Sequence, residues 1–237
     1  MSTMRLLPLV FVLGCATAAG QSRAPDDGPI VLELFTSQGC SSCPPADALL
    51  NKLASAGTAG GRPVAPLAFH VDYWNDLGWA DPYATTMWTA RQQDYARALG
   101  DDRVYTPELV VAGGAGMVGS QQDRVERAIA DAPRQGKLAA AAQWQAQRVV
   151  VTATAPADAD VWVAIWEDGT RTRVLRGENS GETLAGDRVV RKLIRVAQAG
   201  HAGTATVALE AGWRAGGAVA FAQRADRRIV AAALLPR

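Results

Sequence analysis

Two cysteines separated by two serines stand at the head of a helix-like stretch, in Gly39-Cys40-Ser41-Ser42-Cys43-Pro44-Pro45. A thiolate, not a thiol, attacks a disulfide, so a redox cysteine needs its charged form stabilised near neutral pH. The first turn of a helix offers this through backbone N–H groups without intrahelical partners and the positive end of the helix dipole. Cys40 is the expected nucleophile and Cys43, one turn on, the resolving thiol. Ser41 and Ser42 keep the loop small and polar. Pro44 and Pro45 forgo two backbone donors, which is tolerable only in a first helical turn.

The same spacing is also half of a zinc site. Zinc takes about four ligands, and beyond Cys15 near the N-terminus the only other strong candidates are His70 and His201. Soft thiolates also suit Cu(I), with His70 as a further ligand if the fold brings it beside the sulfurs. A structural staple explains the pair poorly, because a bridge closing two intervening residues removes little chain entropy. Three functions therefore compete: a thiol–disulfide oxidoreductase, a copper- or zinc-binding or delivery protein using Cys40, Cys43 and His70, and an interaction module with an inert bridge. The first is favoured. No cofactor is expected.

The elements around the pair follow from periodicity. Residues 30–36 form a short apolar run suited to a buried strand, and Ala48, Leu49, Leu50, Leu53 and Ala54 give an apolar helical face after Pro44. The cysteines thus sit at a strand-to-helix junction. A strand at 67–72, an irregular aromatic segment at 73–83, a helix at 85–99, strands at 109–112 and 117–119 and a helix at 121–132 complete an expected β-α-β-α-β-β-α unit over residues 28–134. Beyond a change of character at 133–142, residues 142–237 carry β-rich runs at 144–154, 161–166, 170–175, 204–209, 218–222 and 229–234, separated by turn signals such as Glu167-Asp168-Gly169 and Gly177-Glu178-Asn179. Residues 189–196 fit helix and strand equally. Trp162 and Trp166 fall on one face of a strand and are expected to be buried.

Residues 1–20 read as a secretory leader: Arg5, an apolar run at 6–13, then small residues. Cleavage near Ala16-Thr17-Ala18 would release a soluble periplasmic protein, whereas Val12-Leu13-Gly14-Cys15 resembles a lipobox that would leave a lipid on Cys15. The 24 basic and 23 acidic residues are spread evenly, for a net charge of +1. That balance offers no basic stripe for nucleic acid and no polybasic membrane patch, so a membrane is met only through a lipid at Cys15. The expected partners are a protein or small thiol or disulfide substrate and a separate redox partner.

The run from Glu33 to Asp47, with His70-Val71-Asp72-Tyr73-Trp74, Arg91-Gln92, Tyr105-Thr106-Pro107, Gly177-Glu178-Asn179 and Val189-Val190-Arg191, resembles the secreted, thioredoxin-like bacterial proteins grouped as a domain of unknown function. The resemblance implies an α/β thioredoxin-like N-terminal domain followed by a mainly β, sandwich-like C-terminal domain. It also implies that Pro107 is a cis-proline packed against the cysteine pair, and that Thr106 offers backbone hydrogen bonds to a bound chain. Thr106 and Pro107 thereby join Cys40 and Cys43 as site residues. Compared with thioredoxin itself, Gly-Pro between the cysteines is replaced by Ser-Ser, tryptophan by Gly39, and the buried acid by Leu34. Glu33, one position earlier, is either a proton acceptor beneath the sulfurs or a paired structural glutamate on the opposite face of the strand.

Overall fold

Every residue of strand β1 (Ile30–Thr36) is buried, and its side chains alternate between two separate cores. Ile30, Leu32 and Leu34 pack with Ala46, Leu49, Leu50 and Leu53 of helix α1 (Pro44–Ala56). Val31 and Phe35 point the other way, toward Trp88 and Tyr95 of helix α2 (Thr86–Leu99). A strand covered on both faces reads as a continuous apolar run, which is why 30–36 shows no polar alternation. The computed structural model describes residues 27–101 and 103–237; the leader expected at 1–20, with Cys15, lies outside them.

From α1 the chain runs through β2 (Thr58–Ala59), β3 (Arg62–His70), a 3-10 turn at Asn75–Leu77, α2, β4 (Glu108–Val111), β5 (Ala115–Val118) and α3 (Gln122–Asp131). Strands then follow without a further helix: β6 (Gly136–Lys137), β7 (Ala140–Trp144), β8 (Arg148–Thr154), β9 (Asp160–Glu167), β10 (Thr170–Arg173), β11 (Thr183–Gly186), β12 (Val189–Ala197), β13 (Ala202–Ala208), β14 (Ala215–Gln223) and β15 (Ile229–Pro236). Both long helices near the site close on glycine in the left-handed region, Gly57 and Gly100. Thr85 caps α2 by accepting a hydrogen bond from the Met87 N–H.

The main sheet has the order β5-β4-β1-β3-β12-β9-β14-β15-β6, with β2 paired to β3. β1 lies parallel to β3 and antiparallel to β4. β12 joins β3 through the single parallel step Val189↔Ala68 and then runs antiparallel along β9. This overturns the expected fold class. Among the described residues the chain is mostly β, with fifteen strands and three α-helices, and the strands assigned to an α/β thioredoxin-like N-terminal domain continue into those of the C-terminal half as one mixed sheet. The reason lies in the apolar face formed by Val31, Phe35, Ala65, Leu67 and Phe69. Helix α2 covers only part of it, and Ala164, Trp166, Val190, Val219 and Phe221 from β9, β12 and β14 bury the rest.

The outer face of β9 and β14 meets a second, three-stranded sheet, β13-β8-β7. There Val149, Val151 and Ala153 pack on Val161, Val163, Ile165 and Ala220, a two-layer arrangement in which alternate residues of each strand face inward. Residues 189–196, equally periodic for helix and strand, are strand because both flanks of β12 find partners. At the far end the sheet curls back on itself: the Ile229 N–H donates to the Ala112 carbonyl at 2.9 Å, bringing the start of β15 to the end of β4. Gly113 sits in that seam with φ +69°, where a Cβ would lie 1.9 Å from the Arg227 carbonyl oxygen.

Candidate functional site

β1 ends at Thr36, and two tight turns carry the chain into α1. The Cys40 N–H donates to the Ser37 carbonyl and the Cys43 N–H to the Cys40 carbonyl, each at 3.2 Å. Gly39 lies within the first of these turns, where a Cβ would come 3.2 Å from the Trp74 Cβ and have to push it aside. Cys43 is the residue before the first helical turn, and Pro44 and Pro45 occupy that turn. The Ala46 and Asp47 N–H groups both donate to the Cys43 carbonyl, at 2.9 and 3.1 Å. Free N–H donors expected at this helix end are therefore not available to the sulfurs: two are removed by proline and two are occupied. What remains is the positive end of the dipole.

Cys40 and Cys43 are joined in a disulfide, with their Cα atoms 5.4 Å apart. Both cysteines are 0% exposed, although Ser41 and Ser42 between them are open to solvent. The Ser42 hydroxyl lies 3.4 Å from the Cys40 sulfur.

Residues far away in sequence hold this loop. The Asn179 side-chain amide donates to the carbonyls of Gln38, at 2.9 Å, and Cys40, at 3.0 Å. The Ser41 N–H donates to a Glu178 carboxylate oxygen at 3.0 Å. Hydrogen bonding from the Ser41 side chain, with this backbone bond second, holds the Glu178 carboxyl below its ordinary pKa. Gln38 donates through its side chain to Thr172 at 3.0 Å and accepts from the Trp79 indole at 3.3 Å. Gly177 packs on Gly78, where a Cβ would come within 3.2 Å of the Gly177 Cα.

Behind the disulfide lies a group of titratable side chains, His70 and Asp81 buried and Asp47 half-buried at the surface of α1. Asp47 is one turn beyond Cys43 on α1, and positions i and i+4 share a helix face. Burial pushes its carboxyl up to about 6, against the opposing pull of His70. His70, at the end of β3, bonds through Nδ1 to the Asp81 carboxylate at 2.7 Å. Burial pulls the His70 imidazole down, but the Asp81 charge and hydrogen bond, aided by Asp47, outweigh it, so its pKa is raised. Burial raises the Asp81 carboxyl, yet His70 and the backbone N–H groups of Gln38 and Tyr83 bring it below its ordinary value. Asp47, His70, Gln38 and Thr170 line one cavity of about 20 Å³ between α1 and the strands of the C-terminal half.

The Thr106–Pro107 peptide bond is cis. Phe35 pairs with Glu108 across β1 and β4, so Pro107 comes opposite the end of β1 from which the cysteine loop departs. The Thr106 hydroxyl accepts from the Trp74 indole at 2.8 Å, and Trp74 also abuts Gly39. One aromatic side chain thus links Thr106 to the loop of Cys40 and Cys43. Tyr73 donates to the Gln92 side chain at 3.2 Å, and Gln92 in turn donates to the buried Glu108 carboxylate at 2.7 Å.

Other candidates lie elsewhere. Glu33 faces α2, where Arg91 Nε and Nη2 reach its two carboxylate oxygens at 2.5 and 2.9 Å and the Tyr95 hydroxyl adds a bond of 2.5 Å. It is a paired structural glutamate with its back to the sulfurs. His201 is exposed in a loop, with Nδ1 2.9 Å from the Ala199 carbonyl. Trp166 is buried and Trp162 half-buried against the same core, and Arg188 stacks over Trp166 at 4.2 Å. Among the described residues no group of three or more His, Cys, Asp or Glu is arranged to hold a metal ion. From the sequence, Gln38, Asp47, Glu178 and Asn179 stand only within segments that carry the family resemblance, and neither they nor Asp81 are named as site residues. Asp47 had a usable signal, its i+4 spacing from Cys43; the others are joined to the site only by the fold.

A family model described as a protein of unknown function (DUF1223) matches residues 31–223, from β1 to β14. The chain belongs to this family. A protein from Agrobacterium tumefaciens with an X-ray crystal structure is 31% identical to this DUF1223 protein and aligns at a TM-score of 0.66, over 87% of this chain and 93% of that one. HBP35 of Porphyromonas gingivalis, at 12% identity and a TM-score of 0.60 over 89% of this chain and 75% of its own, is similar in fold alone. No curated protein matches the chain.

Proposed function

We propose that this DUF1223 protein is an exported thiol–disulfide exchange protein that works through Cys40 and Cys43. The observation that carries the reading is the disulfide itself, closed at the head of α1 with Asp47 one turn behind Cys43. In the exchange, a partner thiolate attacks the Cys40 sulfur, the Cys40–Cys43 bond breaks, and Cys43 leaves as a thiolate that takes up a proton. A second thiol of the partner then attacks the mixed disulfide and releases Cys40. The partner's two thiols lose two electrons and two protons as their disulfide forms; Cys40 and Cys43 gain both.

Asp47 supports this chemistry as a proton donor and acceptor for Cys43, since a carboxyl that titrates at about 6 can give and take a proton near neutral pH. His70 and Asp81 set its charge from behind. Thr106 and Pro107 are the proposed resting place of the partner chain beside Trp74. Export is supported by the leader pattern of residues 1–20, which directs the protein to an oxidising compartment, soluble or anchored by a lipid on Cys15.

The test is to trap the mixed disulfide. Cys43→Ala should accumulate covalent adducts on Cys40 when exposed to glutathione disulfide or to periplasmic extract, and Cys40→Ser with Cys43→Ala should accumulate none. If the Cys43→Ala protein folds yet forms no adduct, the reading fails.

A further inference from the structure

Both cysteines are 0% exposed, yet exchange requires a thiolate to reach a sulfur. Something must therefore move, and the elements over the pair differ in how firmly they are held. Trp74, between β3 and the 3-10 turn, packs against the main core, and Pro107 is buried directly before β4. The connection between β10 and β11 is not packed in this way: residues 175–178 and 180–183 are exposed, and within that span only Asn179 is buried. The connection is tied to itself, Gly181 N–H to the Val174 carbonyl at 2.9 Å, Ser180 N–H to the Gly177 carbonyl at 3.1 Å and Glu182 N–H to the Asn179 carbonyl at 3.1 Å. It can lift as a unit once the bonds of Glu178 and Asn179 to the cysteine loop and the contact of Gly177 with Gly78 are released.

Those bonds have a pattern. Gln38 and Cys40 present carbonyls, and Asn179 meets both with amide N–H groups; Ser41 presents an N–H, and Glu178 meets it with a carboxylate oxygen. An amide donor beside a carbonyl-like acceptor is what the edge of an extended polypeptide offers. Building on the exchange reading above, we infer that residues 175–182, anchored at the buried Val174, form a latch that imitates a bound polypeptide, so that the site takes cysteine-bearing polypeptide segments in preference to small free thiols. A polypeptide that displaces the latch replaces its three hydrogen bonds. A small thiol leaves two carbonyls and an N–H without protein partners, at about three- to ten-fold in rate for each bond lost.

The experiment uses the full oxidised chain and three probes at equal thiolate concentration: 2-mercaptoethanol, an alanine-flanked pentapeptide with a central cysteine, and the same peptide N-methylated on both residues flanking the cysteine. In each case two probe thiols become one probe disulfide while Cys40–Cys43 becomes two thiols, counted by alkylation and mass spectrometry. The wild-type protein should react with the peptide about ten-fold or more faster than with 2-mercaptoethanol, and N-methylation should erase most of that margin. Asn179→Ala should raise the 2-mercaptoethanol rate about ten-fold. Glu178→Ala, at an exposed position that leaves the core untouched, should raise it about three-fold and keeps the test valid if Asn179→Ala does not fold. Equal rates for all three probes, or no change in the Glu178→Ala rate, overturn the latch while leaving exchange intact. Absence of free thiols with every probe in every variant overturns the exchange reading and the latch together.

Discussion

Asp47 is the residue through which the site's pH behaviour is most directly read. Its carboxyl is raised from 3.8 to about 6, so the folded protein favours the protonated form. The stability this brings is full below pH 3.8 and is lost as pH rises toward 6. Asp47→Asn removes that loss: the variant should melt above the wild type at pH 7 and converge with it near pH 4. If exchange runs through Asp47, the wild-type rate should show an inflection near pH 6 that the variant lacks. His70 and Asp81 run in opposite senses. His70 is raised, so its contribution is present below 6.5 and lost as pH climbs through its folded pKa; Asp81 is lowered, so its contribution is present above 3.8 and lost as pH falls through its own. Thermal melts across pH should therefore show His70→Gln costing most stability between those two values. At this scale the cysteine pair was legible because two side chains of one rare type stand three apart. Asp81 was not, because its bond to His70 depends on how residues 73–83 pack.

At the scale of elements, the junction of β1 and α1 was legible from apolar periodicity and the prolines, and so were the bounds of α2, within a residue of Thr86–Leu99. The face of β1 that Glu33 occupies was left open, and the pleat decides it: Glu33 shares its side with Val31 and Phe35 and meets Arg91. The pair is buried on both sides, with Arg91 also over the rings of Tyr95 and Phe221. Arg91→Met strands a charge in the core, and chemical denaturation should show a loss of about 3–5 kcal/mol. Replacing both partners, Glu33→Gln with Arg91→Met, should recover part of it. The connection between β10 and β11 was read as a turn, and so it is. Its role over the disulfide lay beyond reach because Glu178 and Asn179 carry no local pattern that names their partners.

For the whole molecule, strand existence was legible and strand partnership was not. The expected fold class failed where β3 meets β12, a single parallel step at Val189 and Ala68 that merges two expected units into one sheet. Periodicity reports how a strand is buried; it does not report which edge pairs with it. The curled sheet makes the seam at Gly113 sensitive. Gly113→Ala faces both a positive φ and a carbonyl 1.9 Å away, so the turns after β4 and β14 must part, and denaturation should show a loss of about 2–4 kcal/mol. Gly100→Ala, with φ +75° and nothing nearby, carries only the backbone strain of about 1 kcal/mol. That contrast separates closure of the sheet from turn geometry.

Exchange of electrons between the Cys40–Cys43 pair and an external thiol is the central proposed property of the protein. Equilibration of the purified protein in glutathione buffers of graded ratio, quenched by alkylation and read by mass spectrometry, tests this directly. A reversible two-electron transition at the pair, approached equally from the oxidised and reduced sides and absent in Cys40→Ser, is the predicted result. A disulfide that stays fully closed at every ratio, with no glutathione adduct at Cys40 in Cys43→Ala, contradicts it.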